Sequence, residues 1–235
     1  LYLDSDDKLI FRANWSGDNG QWKTDAAATS GNEWIHVAVS YDGGSTSNDP
    51  VIYVNGESVA ISETGTPTGT RDDYSSTLSI GHASVVGFEG YISGIAFYNI
   101  ALGFEDINHI YMNSTVDLVN HGPWRTRDGR GLANNLVHWW RMGDAPGDSI
   151  TRIVNSGQQG SAPSLSNQGS PTIISFEPAI DACLLTADGN YALPDRDGSN
   201  SNQTIIVNRF AAPGGFDVSS RGFMGPPHEE KSVYN

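Results

Sequence analysis

Residues 33–44 read Glu33-Trp34-Ile35-His36-Val37-Ala38-Val39-Ser40-Tyr41-Asp42-Gly43-Gly44. From Trp34 to Tyr41 the side chains alternate, with Ile35, Val37, Val39 and Tyr41 on one face and Trp34, His36, Ala38 and Ser40 on the other. Neither face is strongly polar. The run therefore predicts a strand covered on both sides, which places it at the centre of a layered β structure.

Working outward, a loop over Asp42 to Pro50 leads to Val51-Ile52-Tyr53-Val54, then Asn55-Gly56, then Ser58-Val59-Ala60-Ile61. Asn-Gly between two β-rich runs predicts a tight hairpin, because both turn residues must accept positive φ. Upstream, Leu1 to Leu3 and Leu9 to Phe11 flank the acidic turn Asp4-Ser5-Asp6-Asp7, a second hairpin with a solvated tip. Downstream come Leu78-Ser79-Ile80-Gly81 and Tyr91 to Tyr98. Gly87, Gly90 and Gly94 mark places where a side chain would obstruct a bend or a close approach. Only Gly103 to Met112 has helical spacing, through Ile107, Ile110 and Tyr111. Strands separated by turn signals, with one helical turn at the end, predict two packed antiparallel sheets over residues 8–113. Ile35, Val37, Val39, Tyr53, Ile80, Ile95 and Phe97 are the expected core.

The ordered motifs EWIHVAVSYDGG, IYVNGESVAI and LSIGHASVVGFEGYISGIAFYNIALGFEDINHIY resemble the laminin-G-like, concanavalin A-like jelly roll. The resemblance covers Lys8 to Asn113. It implies an all-β fold, an antiparallel jelly-roll sandwich with one short helix, followed by a loop-rich β segment. Such domains usually begin with further strands that are absent before Leu1, so those strands are expected upstream in a longer polypeptide, or the module is incomplete. The resemblance also implies lectin or adhesion roles, or glycoside hydrolysis, so the site must decide between them.

Residues 1–117 hold 16 acids and 4 bases, whereas 118–235 hold 11 acids and 9 bases. That asymmetry predicts a sandwich over 1–115, a linker over 116–135, and over 136–235 a partial second β-rich unit with an extended C-terminal arm. Leu136 to Asp144, with Asn155-Ser156-Gly157 after it, is similar to the opening of a second laminin-G-like repeat. On a strand Trp139 and Trp140 point to opposite faces, which predicts one in a core and the other at a subunit contact. The segment after Gly122 is expected to pack on the sandwich or on a neighbouring subunit. The end of the chain, with Pro213-Gly214-Gly215 and Ser220-Arg221-Gly222, is similar to segments of laminin-G-bearing structural proteins of tailed phages and environmental viruses.

Of 235 residues, 27 are Gly, 26 Ser, 14 Thr and 18 Asn, a composition that favours turns and short strands over helical bundles. The net charge of −14 argues against a nucleic-acid partner, which needs clustered Lys and Arg. No apolar stretch is long enough for a membrane-spanning helix. Cys183 is alone and cannot form an intrachain disulfide. The sequons at Asn14, Asn113 and Asn202 occur at chance frequency and carry no reading.

A retaining glycosidase of this fold needs carboxyl groups about 5 Å apart, commonly supplied as E-x-D-x-x-E or E-x-D-x-E, and neither pattern is present. Glu89 and Glu105 are the nearest pair, and Glu105 more simply favours a helix N-terminus. His36, His82 and His109 have no nucleophile or carboxylate placed beside them by motif and read as structural. No cofactor is expected, calcium excepted. Asp42, Asp49, Asp72 and Asp73 offer hard oxygens in polar loops. For a glycan or protein partner, Trp15 and Trp22 in the run NWSGDNGQWK are the candidate aromatic platform, with Trp139 and Trp140 as further contacts. The expectation is a non-enzymatic structural or adhesion module of a larger extracellular or virion surface protein, contacting neighbouring subunits or domains and glycan. A lectin domain is the alternative, and a degenerate polysaccharide hydrolase the second alternative.

Overall fold

The computed structural model describes residues 1–30, 33–72, 78–83, 86–88, 90–113, 118–119, 131–157, 164–167, 172–176, 180–185, 191–192 and 202–211. In chain order the first part carries β1 (Tyr2–Leu3), β2 (Leu9–Ala13), β3 (Gly20–Thr24), β4 (Ile35–Asp42), β5 (Val51–Val54), β6 (Glu57–Ser58), β7 (Ile61–Gly65), β8 (Ser79–Ile80), β9 (His82–Ala83), β10 (Val86–Gly87), β11 (Gly90–Ile92), β12 (Ile95–Tyr98) and α1 (Phe104–Met112). After a 3-10 turn at Leu132–Asn135 come β13 (Leu136–Trp140), β14 (Arg152–Ile153), β15 (Leu165–Asn167), β16 (Thr172–Phe176), β17 (Ile180–Leu185), β18 (Tyr191–Ala192) and β19 (Asn202–Ala211). Among the described residues all strand pairs are antiparallel, as in a β-sandwich.

A nine-stranded sheet runs β16-β17-β11-β19-β4-β5-β6, with β12 also on β19 and β13 on β12. The expected strand Tyr91 to Tyr98 is interrupted at Ser93-Gly94, and its two halves, β11 and β12, lie against the same strand, β19. Two four-stranded sheets, β1-β2-β3-β7 and β14-β15-β18-β8, and a two-stranded ladder, β9-β10, make up the rest of the described sheets. The two-sided burial predicted for β4 is present. Ile35, Val37, Val39 and Tyr41 meet Leu9, Phe11 and Trp22 of β2 and β3 in one core. On the other face, Ala38 joins Tyr53, Tyr98, Leu102, Ile107 and Ile110 under α1. Of the expected core, only Phe97 falls short, half-buried at the core margin.

Local turns behave as their sequences dictate. Asn55 and Gly56 have φ of 51° and 82°, and a Cβ on Gly56 would lie 2.6 Å from the Tyr111 ring. Asp4 closes the first hairpin by accepting from the amides of Asp6 and Lys8. The Ser58 to Ile61 run is not one strand: the chain leaves the large sheet after Ser58 and enters the small one at Ile61.

The division of the chain at 116–135 is not a division of the sheets. β13 pairs with β12 from Ile95↔Trp140 to Tyr98↔Leu136. β19 lies between β4 and β12, with Val39↔Ile205 on one side and Phe97↔Ile205 on the other. β18 pairs with β8, and β17 with β11. Within the large sheet, β19 therefore takes the central place between strands of the first half, while β13, β16 and β17 extend its ends. The reason is burial: a strand covered on both faces, like β4, leaves a hydrogen-bonding edge in an apolar interior unless a neighbour pairs with it. The Cys183 backbone takes part in β17, while the arm 212–235 lies outside the described residues.

Candidate functional site

The outer surface of the β1-β2-β3-β7 sheet carries a polar groove of about 640 Å³, lined by Arg12, Gly17, Asp18, Asn19, Gln21, Thr64, Gly65 and Thr66. Strand parity builds it. Along β3 the residues Gly20, Trp22 and Thr24 are buried, which leaves Gln21 and Lys23 on the outer side.

The end of the groove is a zipper between two loops. Gly17 N donates to Thr68 O (3.1 Å), Ser16 N to Thr70 O (2.9 Å) and Thr68 N to Asp18 O (3.0 Å). Side chains tighten it: the Thr68 hydroxyl accepts from Asp18 N (2.8 Å) and donates to Asp18 Oδ2 (3.1 Å). Glycine is required for this approach, since a Cβ on Gly69, which has φ +88°, would lie 2.5 Å from Ser16 Oγ. Gln21 Nε2 donates to Thr64 Oγ1 (3.0 Å), and Asn19 Oδ1 accepts from Trp15 N (3.0 Å). Asp18 Oδ1, Asn19 Nδ2 and Gln21 Oε1 are the remaining valences of these fixed groups. With the exposed Arg12 they give a wall of carboxylate, amides, hydroxyls and guanidinium. Such a wall both donates to and accepts from a hydroxyl.

The residues proposed from sequence lie elsewhere. Trp15 and Trp22 are 5% and 1% exposed and belong to the core, so they form no surface platform. Trp22 stacks on Phe11 (6.0 Å between centroids) and its indole N–H donates to Asp49 Oδ1 at 2.7 Å. Alternation from β2 across to β3 places Trp22 opposite Phe11 on the inward face. Trp139 and Trp140 do point to opposite sides, but both are buried within the chain. Trp140 enters the core between the sheets and Trp139 the one under α1, with the Arg141 guanidinium 5.1 Å from the Trp139 ring. Neither supplies a subunit contact, because the sheets of this same chain cover them.

The four acids of the calcium expectation are not brought together as a ligand set. Asp42 Oδ1 accepts from Gly44 N at 2.9 Å, Asp49 is engaged by Trp22, and Asp72 is exposed with its amide on Asn14 O. Asp73 lies outside the described residues. Among the described residues no three His, Cys, Asp or Glu side chains are grouped so as to hold a metal. Glu89 is outside the described residues, and Glu105 is in the exposed first turn of α1. His36 is buried against Tyr111, and burial lowers the pKa of His109, which packs beside Asn113. Of His82 only the backbone, in β9, is described.

A smaller recess of about 130 Å³, lined by residues 24–28 and by Val54, Val59 and Ala60, is mainly apolar. Its one hydroxyl, on Thr24, already donates to Ala26 O and accepts from Leu9 N. The groove is the better-equipped site for a polar ligand.

The packed antiparallel layers with a single helix define an all-β sandwich class. Residues 1–108 match the family model described as the concanavalin A-like lectin/glucanases superfamily, so this part of the chain is a laminin-G-like domain of that superfamily. No curated protein and no solved structure matches the chain. No described helix is long and apolar enough to cross a membrane.

Proposed function

We propose that the protein is a non-enzymatic binding module that holds a hydroxyl-rich saccharide in the groove between Arg12 and Thr66. The observation that carries this reading is the lining itself: pre-positioned acceptors (Asp18, Gln21) beside donors (Asn19, Arg12), held by the Gly17–Thr68 zipper. A sugar hydroxyl needs both kinds of partner, and fixed groups bind it with little ordering cost. An adhesive role at a cell or virion surface, within a larger polypeptide, is the setting in which such a module acts. The lining carries one carboxylate, Asp18, so it offers no acid pair for glycoside hydrolysis.

Exposed Phe104 and Met112 on α1, 47% and 52% accessible, favour a second reading in which this face meets a protein partner. A glycan array probed with the full chain separates the two. Under the saccharide reading, a defined set of glycans binds and Asp18→Ala abolishes that binding while the fold is kept. An array with no binding, or binding indifferent to Asp18→Ala but lost in Phe104→Ser, would reject the groove.

A further inference from the structure

The sheet β1-β2-β3-β7 ends in β7, whose partner is β3, and among the described residues no strand lies on its other side. Parity fixes which backbone groups are left over. Asp25 N donates to Ala60 O (3.0 Å), so Ala60 and Ser62 turn their backbone groups toward β3, while Ile61 and Glu63 turn theirs away from the sheet. Side chains follow from the same register. Opposed residues of antiparallel strands share a face, so Ile61, opposite Thr24, and Glu63, opposite Trp22, lie on the inner side, as the buried Thr24 and Trp22 do. Ile61 is half-buried at the core margin, whereas Glu63 is exposed.

An exposed strand edge is a template for another strand, and a charge on its inner side is a device against indiscriminate pairing. Glu63 holds that position. A second copy would lay its own Glu63 edge, on a chain of net charge −14, against the first, and like charges in neighbouring cross-strand places repel. A strand carrying a cation there would be attracted instead. Asp25, which holds the Ser62 hydroxyl, and Glu57 of β6 add exposed carboxylates on the same flank, where the chain crosses from the large sheet to the small one. Beside the start of β7 lies the apolar recess of about 130 Å³, with Val54 of the large sheet on one side and Val59 and Ala60 of the crossing on the other. An apolar cavity of about 150 Å³ takes benzene, so this recess takes one branched aliphatic side chain.

We propose that the free edge of β7 accepts an extended peptide segment of another protein as an antiparallel strand, with a Lys or Arg opposite Glu63 and aliphatic residues at every second place after it. The backbone groups of Ile61 and Glu63 supply the hydrogen bonds, and the inner-face side chains give specificity. In that direction the residue opposite Ile61 covers the core margin, and the one two places further on reaches the recess beside Val59. The groove uses the outer face of β7, through Thr64, so the strand site needs no glycan and stands or falls apart from the saccharide reading.

The test titrates the full chain into a fluorescein-labelled, end-blocked peptide Ser-Thr-Lys-Thr-Val-Thr-Val-Ser and reads fluorescence anisotropy. Saturable binding is expected. N-methylation of the Lys or of the first Val, whose N–H groups face β7, should weaken it by about tenfold or more. N-methylation of the Thr between them, whose N–H faces away, should leave it unchanged. Glu63→Lys should weaken binding by about tenfold, and a peptide with Glu in place of Lys should recover binding to that variant. No anisotropy change up to millimolar chain, which would mean that Glu63 only guards the edge, overturns the proposal. So do equal effects of N-methylation at alternate residues, or a charge-reversed peptide that fails to recover binding to Glu63→Lys. Self-association of the chain in sedimentation that the peptide does not displace would place a second copy on the edge, and overturns it as well.

Discussion

Replacing Trp22 by alanine separates a core role from a binding role. The side chain is 1% exposed, stacked on Phe11, tilted at 5.3 Å against Tyr41 and hydrogen-bonded to Asp49. A buried tryptophan removes about 150–250 Å² from water, which at about 25 cal/mol per Å² is about 4–6 kcal/mol as an upper bound. Measured Trp→Ala losses in cores are about 3–5 kcal/mol, and the exposed Asp49 carboxylate regains water once its donor is gone. The expected destabilisation is therefore about 3–5 kcal/mol, a large share of a typical stability of about 5–15 kcal/mol. Urea denaturation followed by circular dichroism measures it, with the midpoint falling and the slope unchanged. Trp22→Phe, which keeps a ring against Phe11 and Tyr41, should lose less and retain glycan binding. A loss below about 1 kcal/mol in Trp22→Ala together with abolished binding would refute the burial argument, because that is how a surface stacking platform behaves.

Three further outcomes follow from named contacts. Gly56→Ala should cost about 1 kcal/mol or more, since φ is +82° and the new Cβ meets Tyr111 at 2.6 Å; a denaturation midpoint equal to wild type would contradict this. The ion pair and hydrogen bond from Lys23 hold the Asp4 carboxyl down at about 2, against an ordinary 3.8. A depressed folded pKa stabilises above the unfolded value and is lost on acidification, so stability should fall between pH 3.8 and about 2; in Lys23→Gln that limb should flatten, as acid titration of Tm will show. A chain ending at Asn113 lacks β19 and β13, leaves the β4 edge unpaired in an apolar interior, and should give no cooperative thermal transition; a sharp melt would show that the first half folds alone.

Much of the first half was legible because its signals are local. The alternation in β4, the Asn55-Gly56 turn and the spacing of Ile107 and Ile110 each act within a few residues, and the structure shows all three. The role of the second half was not legible, because pairing such as Val39↔Ile205 joins segments far apart in sequence and leaves no periodic trace in either one. The β-branched run Thr204-Ile205-Ile206-Val207 was the available hint of a buried strand. At the site, attention to aromatic residues picked Trp15 and Trp22, whereas the groove is made by the polar residues between them, Asp18, Asn19 and Gln21. Strand parity distinguishes the two sets, since Gln21 must face away from the side that buries Trp22.

The central claim is that β19 fills the middle of the sheet laid by the first half and so makes the two halves one folded unit. Directly opposed residues on antiparallel strands have Cα atoms about 4.5–5.5 Å apart, within disulfide reach, and a one-residue slip sends the partner to the other face. Val39 is opposed to Ile205, with Thr204 one place along. Under mild oxidation, Val39→Cys combined with Ile205→Cys should form an intrachain disulfide in high yield, and Val39→Cys combined with Thr204→Cys should not. Equal yields in the two pairs, or cross-linking only between separate chains, would contradict the account.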